Sequence, residues 1–299
     1  MKINPNRKIL VIGASGNIGY PLYQNLKNNF NTVGTYKDNI KKNLIKFDVN
    51  KDKLSVILKK DKFTDLILCQ GLINFNEISK NPKLAKKTNF DSLILQLKSI
   101  KKENEDLKII YFSSESIFDG HKGNYSERSK PKPILDYGLH KFKVENFIRE
   151  KFKNYLIFRI SKVYDTNNKQ SSLITNWYEQ LKRNEKIILA TDNFLTPIHI
   201  DDLLKFVVKL IILDSKGIFN ISSNDNKSRS ELFDIFYKRY NKYHKSKSQI
   251  CRLPLELIQN KNLKIPKKTS LINKKVKKIT GISPKSLDYY SNFLIRKNL

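Results

Sequence analysis

The chain has very few of the residues from which disulfide frameworks and metal centres are built. Only two cysteines, Cys69 and Cys251, occur in 299 residues, and they lie far apart without a C-x-x-C pair. The sequence therefore predicts neither a disulfide framework nor a zinc site. The four histidines are dispersed without H-x-x-x-H spacing, so we expect no metal. Such sparse cysteine usage favours a reducing compartment, and we expect a cytoplasmic protein.

Long hydrophobic runs are also missing. The longest apolar stretch, LLKFVVKLIILD, is too short to cross a bilayer and is interrupted by Lys205 and Lys209. Near the amino terminus, ILVI is too short for the h-region of a signal peptide. We therefore expect no membrane partner.

Acidic residues are scarce relative to basic ones. The chain has 58 lysines and arginines against 28 aspartates and glutamates, which gives a net charge of +30. A charge of this size raises nucleic acid as a partner. However, the lysines are scattered along the whole chain, and the densest run has neither an arginine nor an aromatic residue to stack on a base. We expect no nucleic-acid partner, although a basic field would attract a diphosphate substrate.

Short apolar runs alternate with amphipathic segments through the first half of the chain. This rhythm predicts an α/β fold, a Rossmann-type doubly wound parallel sheet with a smaller C-terminal substrate-binding lobe. We assign residues 1–164 to an NAD(P)-binding domain, with part of 190–222 returning to it. Residues 165–299 mainly form the substrate-binding lobe. Helices are predicted at 20–29, 53–60, 82–102, 137–152, 173–183, 201–213 and 230–243.

A glycine-rich turn follows the first predicted strand. In ILVIGASGNIG the spacing is G-x-x-G-x-x-G, at the seam between a strand and a helix. Glycines here allow a tight turn, close approach of a pyrophosphate and close packing of helix on strand, while the helix amino terminus offers free N–H groups. The predicted ligand is a dinucleotide, lined by Gly13, Ser15, Gly16, Asn17, Ile18 and Gly19.

The end of the second strand bears on the choice of cofactor. An acidic residue that binds the ribose hydroxyls of NAD is usual there, whereas this chain has Tyr36 and Lys37. Because Lys37 could pair with a 2′-phosphate, NADP(H) is favoured. Asp38, one residue further on, keeps NAD(H) open. After the third strand, Asp48 and Val49 are expected beside the adenine ring.

Two further segments suit proton transfer to a carbonyl oxygen. Tyr137 and Lys141 are four residues apart in a helical pattern, so their side chains lie on one face. A tyrosine with a reference pKa of about 10 is a poor acid or base near neutrality, and we expect the Lys141 ammonium to lower it. Ser113 and Ser114 end an apolar strand, where ligands of parallel sheets bind.

These motifs together resemble the extended short-chain dehydrogenases/reductases, and within them the dTDP-4-dehydrorhamnose reductase family. The resemblance covers nearly the whole chain, through GASGNIG, FSSESIFDG, YGLHKFKVE, FRISKVYD, NFLTPIHIDDLLKFV and the two segments GIFNISSNDNKSRSELF and SLINKKVKKITGISPKSLDYYSNFL.

The resemblance implies roles for individual residues. Ser114 would polarise the carbonyl, Tyr137 would be the acid/base, and Lys141 would modulate its pKa and bind the nicotinamide ribose. Asn89 would lie near the site, and Cys69, Gln70 and Gly71 would line the cofactor. The chain departs from the family pattern in that CQG replaces a smaller pair, Ser114 replaces threonine, Glu115-Ser116 replace Asp-Tyr, and Ile265-Pro266 stand where Arg-Pro is common.

We expect NADPH-dependent reduction of the keto group of a nucleotide-activated 4-keto-6-deoxy sugar. Two alternatives remain open: an NAD-dependent nucleotide-sugar epimerase or dehydratase, and a non-catalytic regulatory subunit of the same fold. A homodimer is also left open.

Overall fold

A computed structural model describes residues 7–166, 172–259 and 264–298. The chain divides into two compact units. The first comprises Met1–Ile117, Leu135–Arg159 and Val207–Phe219, and the second comprises Phe118–Ile134, Ile160–Phe206 and Asn220–Leu299. The assignment of cofactor and substrate to separate units stays a prediction.

The strands in the described residues fall into one large sheet and three small ones. The large sheet contains β1 (Lys8–Ile12), β2 (Asn31–Tyr36), β3 (Leu44–Lys46), β4 (Asp65–Leu68), β5 (Lys108–Ser114), β6 (Tyr155–Ile160) and β11 (Gly217–Ile221). The small sheets pair β7 (Val163–Tyr164) with β10 (Ile198–His199), β8 (Ile187–Ala190) with β13 (Ile250–Leu253), and β9 (Phe194–Leu195) with β12 (Lys227–Ser228).

Helices connect these strands. They are α1 (Gly19–Lys27), α2 (Leu54–Leu58), α3 (Phe75–Lys80), α4 (Pro82–Lys86), α5 (Ser92–Glu103), α6 (Asp136–Lys151), α7 (Leu173–Lys182), α8 (Ile200–Ile212), α9 (Arg229–Tyr240), α10 (Leu255–Ile258), α11 (Lys274–Thr280) and α12 (Leu287–Lys297). None of the described helices is long and apolar enough to span a membrane.

The order of the large sheet is β11-β6-β5-β4-β1-β2-β3. β1 pairs in parallel with both β2 and β4, and parallel pairing continues to β3 and β5. The chain runs outward from β1 in one direction and then returns to the other side of β1 through β4. A topological switch point of this kind opens a crevice at the carboxyl ends of the strands, where ligands of such sheets bind.

Burial explains why β4 and β5 are continuous apolar runs in the sequence. All seven residues of β5 and all four of β4 are buried, as expected for a parallel sheet that is covered on both faces. One core cluster packs these strands against α5 and α6 through residues such as Leu97, Ile109 and Val144. The predicted doubly wound α/β fold is confirmed.

The second unit has its own core, built largely from aromatic residues. The Trp177 ring meets Phe233 edge-on with 5.4 Å between ring centroids, and Phe236 and Tyr240 belong to the same cluster. Ser228 and Glu231 start α9 with a capping box, in which each side chain accepts a hydrogen bond from the other's backbone N–H. The aromatic stripe of α9 therefore serves core packing.

Most helix ends agree with the sequence pattern to within a few residues, with one clear exception. The segment predicted as one helix over 82–102 is divided into α4, a π-helical turn at Lys87–Asp91, and α5. The short helix α3 was not predicted, because the loop after β4 carries no long apolar period.

Candidate active site

The glycine turn joins β1 to α1 with little space for side chains. Gly13 has φ +80°, and a Cβ there would lie 2.8 Å from the backbone nitrogen of Gln70. A Cβ on Gly19 would lie 2.1 Å from the Gly13 carbonyl oxygen. At Gly16 the nearest atom would be 3.4 Å away, an ordinary contact. Gly13 and Gly19 thus allow close packing of helix on strand. Gly16 is exposed and leaves room for a ligand to approach the backbone.

The amino terminus of α1 fits an anionic ligand. It begins after Ile18 with no side-chain cap, and its first turn contains no acidic residue. Its positive dipole end therefore lies beside Ser15, Gly16 and Asn17 without a side-chain cap. This arrangement suits the pyrophosphate of a dinucleotide.

The carboxyl end of β2 contacts the glycine turn through two residues to which the sequence analysis gave no role. The Thr35 hydroxyl accepts a hydrogen bond from the Gly13 backbone N–H at 3.1 Å, and Asn39 donates to the Ser15 carbonyl at 3.1 Å. Tyr36 ends the strand and is partly buried. Lys37 is exposed and its ammonium lies 3.4 Å from the carboxylate of Asp38.

Asp48 and Val49 follow β3, as the sequence pattern predicts. The Asp48 carboxylate accepts a hydrogen bond from the Asn50 backbone at 2.9 Å and so closes its own turn. Val49 is buried. The place of both residues beside an adenine stays a prediction.

Cys69, Gln70 and Gly71 follow β4 directly and lie beside the glycine turn. The loop is fixed by Asn89, whose side-chain oxygen accepts from the Leu72 N–H at 2.7 Å and whose amide donates to the Leu72 carbonyl at 2.8 Å. A Cβ on Gly71 would lie 3.0 Å from this Asn89 oxygen and 3.9 Å from Lys141 Nζ. Asn89 sits in the π-helical turn, which places its side chain against this loop. Its predicted location near the site agrees with this geometry.

Ser114, Tyr137 and Lys141 come together at the carboxyl end of β5. Tyr137 and Lys141 lie one turn apart on α6, and the Ser114 hydroxyl is close enough to the Tyr137 phenol to lower its pKa. Lys141 is buried, and its Nζ donates to the Phe112 carbonyl at 2.9 Å. The Nζ lies 5.8 Å from the centre of the Tyr137 ring.

The expected lowering of the Tyr137 pKa is wrong for this structure. Burial raises the pKa of Tyr137 well above its usual value, and Glu115 adds to the rise, while the nearby Ser114 hydroxyl opposes it. Burial also lowers the pKa of Lys141 to about 8, an effect that Cys69 opposes. Removal of both groups from water favours their neutral forms, and this outweighs the opposing effects of Ser114 on Tyr137 and of Cys69 on Lys141. The site therefore holds a protonated phenol, the form that can donate a proton.

Sequence reasoning missed two supports of this cluster, Phe75 and Glu145. The Phe75 ring lies 5.6 Å from the Tyr137 ring, centroid to centroid. Below the site, Glu145 of α6 accepts from Arg159 Nε at 3.2 Å and from the Ser113 hydroxyl at 3.1 Å, with all three residues buried. Glu145 lies four residues after Lys141, and this helical spacing on the buried face is the signal that could have identified it.

A cavity of about 490 Å³ lies at the opposite edge of the sheet, where the strands begin. Its charged groups pair with one another: Arg7 donates to both carboxylate oxygens of Asp65, and Lys108 bonds Asp214 at 2.6 Å. These pairs give it a structural role, and the reactive groups lie at the other edge.

Comparisons with known proteins place this geometry in a family. The chain matches the RmlD substrate binding domain over residues 7–293. It is 26% identical over 222 residues to the probable low-salt glycan biosynthesis reductase Agl14 of Haloferax volcanii, covering 71% of this chain and 73% of that one. It is 24% identical over 243 residues to the methionine adenosyltransferase 2 subunit beta of Bos taurus, covering 76% of this chain and 70% of that protein.

The fold agrees with a solved structure over almost the whole length. The dTDP-4-dehydrorhamnose reductase of Bacillus anthracis in complex with NADP superposes with a TM-score of 0.81 at 20% identity, covering 99% of this chain and 100% of that chain. Because the family match spans nearly all of the sequence and the fold agrees with it, the chain belongs to the RmlD substrate binding domain family.

Proposed function

We propose that the protein is an NADPH-dependent reductase that acts on the keto group of a nucleotide-activated 4-keto-6-deoxy sugar. The observation that carries the proposal is the Ser114, Tyr137 and Lys141 cluster at the carboxyl end of β5. The glycine turn beside it suits a dinucleotide. The family match, and the names of the archaeal reductase and of the NADP-bound reductase, support the same activity.

The residues divide the chemistry of a carbonyl reduction between them. A bound reduced nicotinamide would supply the hydride to the carbonyl carbon. Ser114 would donate a hydrogen bond to the carbonyl oxygen, on which negative charge develops. Tyr137, kept protonated by burial, would give its proton to that oxygen and complete the alcohol. The ammonium of Lys141 would then stabilise the Tyr137 phenolate until a proton from water restores the phenol.

The choice of NADP(H) over NAD(H) rests on Lys37. Its ammonium is exposed at the end of β2, and Asp38, with which it pairs, is more exposed still. A 2′-phosphate would offer Lys37 a stronger partner than this exposed carboxylate. Lys37→Ala should lower the preference for NADPH over NADH, measured as the ratio of the two Kd values, and should leave NADH affinity unchanged.

Turnover with labelled cofactor tests the proposal directly. Purified protein is incubated with [4-²H]NADPH, prepared with either stereochemistry at C4, and with a panel of dTDP-, UDP- and GDP-linked 4-keto-6-deoxy sugars. We expect oxidation of NADPH with one panel member, with deuterium at the former keto carbon of the sugar. No turnover with any member would contradict the proposal. NAD that co-purifies with the protein, and returns to its oxidised form in each cycle, would instead indicate the epimerase or dehydratase.

A non-catalytic subunit is the second candidate, because relatives in the same family are named as subunits of methionine adenosyltransferase. Such a role does not require Tyr137 and Lys141. This chain nevertheless has both residues, and the Lys141 Nζ lies 5.8 Å from the centre of the Tyr137 ring. The subunit role would be supported if the protein binds NADPH without turning over any sugar and if Tyr137→Phe still binds the partner protein.

A further inference from the structure

The ammonium of Lys141 is held by one hydrogen bond and by aromatic rings. Its Nζ donates to the Phe112 carbonyl at 2.9 Å. It lies 4.9 Å from the centre of the Tyr111 ring, closer than to the Tyr137 ring at 5.8 Å. Both distances fall within the range in which a cation is attracted to the face of an aromatic ring.

Tyr111 sits in the middle of β5 and is 1% exposed. Its hydroxyl has no hydrogen-bond partner among the described residues. Burial raises its pKa well above the usual value, and nearby Tyr137 and Glu145 raise it further, so the phenol is neutral. A buried hydroxyl without a partner is costly, and phenylalanine would fill the same space without that cost. Since the hydroxyl bonds to nothing among the described residues, the contact of Tyr111 with the Lys141 ammonium is made by its ring.

The ring matters because little else near Lys141 favours its charge. Burial lowers the pKa of Lys141 to about 8. Cys69, on the segment after β4, opposes this shift, but burial raises the pKa of its own thiol to about 12, so it carries little charge near neutrality. From α6 itself the neighbour is Tyr137, a neutral phenol, and Glu145 acts on Tyr111 rather than on the lysine.

We propose that Tyr111 is a positioning residue for Lys141: the face of its ring holds the ammonium at the Phe112 carbonyl, beside Tyr137. The catalytic consequence of this contact rests on the proposed reductase function, whereas the contact itself does not. Removal of the ring should make Lys141 lose its proton at lower pH, since only the charged form gains from the ring.

Direct titration of Lys141 tests the contact without any substrate. The full-length protein is labelled with ¹³Cε-lysine, and the signal of Lys141 is assigned by its loss in Lys141→Arg. Tyr111→Leu removes the ring and keeps an apolar side chain, whereas Tyr111→Phe keeps the ring and removes the hydroxyl. Phe158→Leu is the matched control, because Phe158 is a fully buried aromatic residue on the adjacent strand β6 that packs on the Phe112 ring, 5.2 Å between centroids.

We expect Tyr111→Leu to lower the pKa of Lys141 by on the order of one unit, a tenfold change in its proton affinity. Tyr111→Phe and Phe158→Leu should titrate as the wild-type protein does. An unchanged pKa in Tyr111→Leu would overturn the proposal, and so would an equal shift in Phe158→Leu. If Tyr111→Leu fails to fold, Tyr111→Met replaces it, and a shift in Tyr111→Phe overturns the proposal in any case.

Activity then provides an independent readout. With the turnover assay, the alkaline limb of kcat/KM should move to lower pH in Tyr111→Leu by the same amount as the titration, and Tyr111→Phe should restore it. Absence of turnover in the wild-type protein would contradict the reductase function and leave the titration as the test of Tyr111. If the pKa of Lys141 shifts in Tyr111→Leu but the alkaline limb of kcat/KM does not, the contact is supported and its proposed effect on catalysis is contradicted.

Discussion

The reactive residues illustrate how burial sets the direction of a proton transfer. A raised pKa makes Tyr137 a weaker acid, but it keeps the phenol protonated at neutral pH, and a reduction requires the protonated form. Lys141 is also desolvated, and its pKa near 8 leaves it charged at neutral pH. The pair therefore suits reduction of a carbonyl at neutral pH. At that pH Tyr137 is protonated, and Lys141 carries the positive charge that stabilises the phenolate formed when Tyr137 gives up its proton.

Activity should depend on pH through Lys141. Since Lys141 loses its proton as the pH rises through about 8, kcat/KM should be level below that pH and fall above it. In Lys141→Arg the guanidinium keeps its charge, so the alkaline limb should move above pH 10 even if the plateau is lower. A pH series of initial rates measures both. An alkaline limb at the same pH in both proteins would show that another group controls it.

The proximity of the candidate site residues could be predicted from the sequence, but their electrostatics could not. The spacing of Tyr137 and Lys141 fixed their common helix face, and the strand end located Ser114. The sign of the Tyr137 shift depended on the burial of the phenol and on Glu115, neither of which the pattern reveals. Tyr111 and Phe75 escaped notice because apolar and aromatic residues in a strand or loop look like ordinary core.

Among the elements, the junction of β1 and α1 depends most closely on single atoms. A methyl group on Gly19 would meet the Gly13 carbonyl oxygen at 2.1 Å, and this oxygen belongs to backbone that cannot easily move. A methyl group on Gly16 meets nothing closer than 3.4 Å. Gly19 is therefore required for the packing of the turn, whereas Gly16 is required for the approach of the ligand.

Gly19→Ala should lower the free energy of unfolding by about 1–3 kcal/mol, because the helix must shift away from the strand. Gly16→Ala should change it by about 0.5 kcal/mol or less. Both should weaken NADPH binding, the first by displacing the helix amino terminus and the second by crowding the pyrophosphate. Urea unfolding and NADPH fluorescence titration measure the two effects. Equal loss of stability in both variants would contradict the packing argument.

The opposite ends of the strands are held by buried charges. Arg7 donates to both oxygens of Asp65, and both side chains are almost inaccessible to solvent. Asp65→Asn should cost about 3–5 kcal/mol in unfolding free energy, because it leaves the Arg7 guanidinium buried without its carboxylate. Glu105→Gln breaks the exposed pair with Lys101 and should cost less than about 1 kcal/mol. Urea unfolding of the two variants compares them, and a similar loss in each would refute the distinction.

Element types were largely predictable from periodicity, whereas the interruption at Asn89 was not. Residues 82–102 have a helical period, but the π-helical turn inserts where Asn89 must reach the Leu72 backbone. This bend is set by a contact with a distant loop, which the local pattern of the helix does not contain.

For the molecule as a whole, the alternation of strands and helices was sufficient to predict the doubly wound sheet. The carboxyl ends of β1, β4 and β5 then collect the glycine turn, the Cys69 to Gly71 segment and Ser114 at one edge. The sequence could not show that Phe118–Ile134 belongs with the second unit, since this excursion has no boundary signal. Which sugar is bound depends on residues outside these motifs.

The most direct test compares the wild-type protein with Tyr137→Phe, using NADPH and the 4-keto-6-deoxy nucleotide sugars. Tyr155→Phe, a partly buried tyrosine at the start of β6, is the matched control. We predict that the wild-type protein and the control reduce the sugar, while Tyr137→Phe binds NADPH normally and loses about 10²–10⁴-fold in kcat. Equal turnover by Tyr137→Phe would contradict the account.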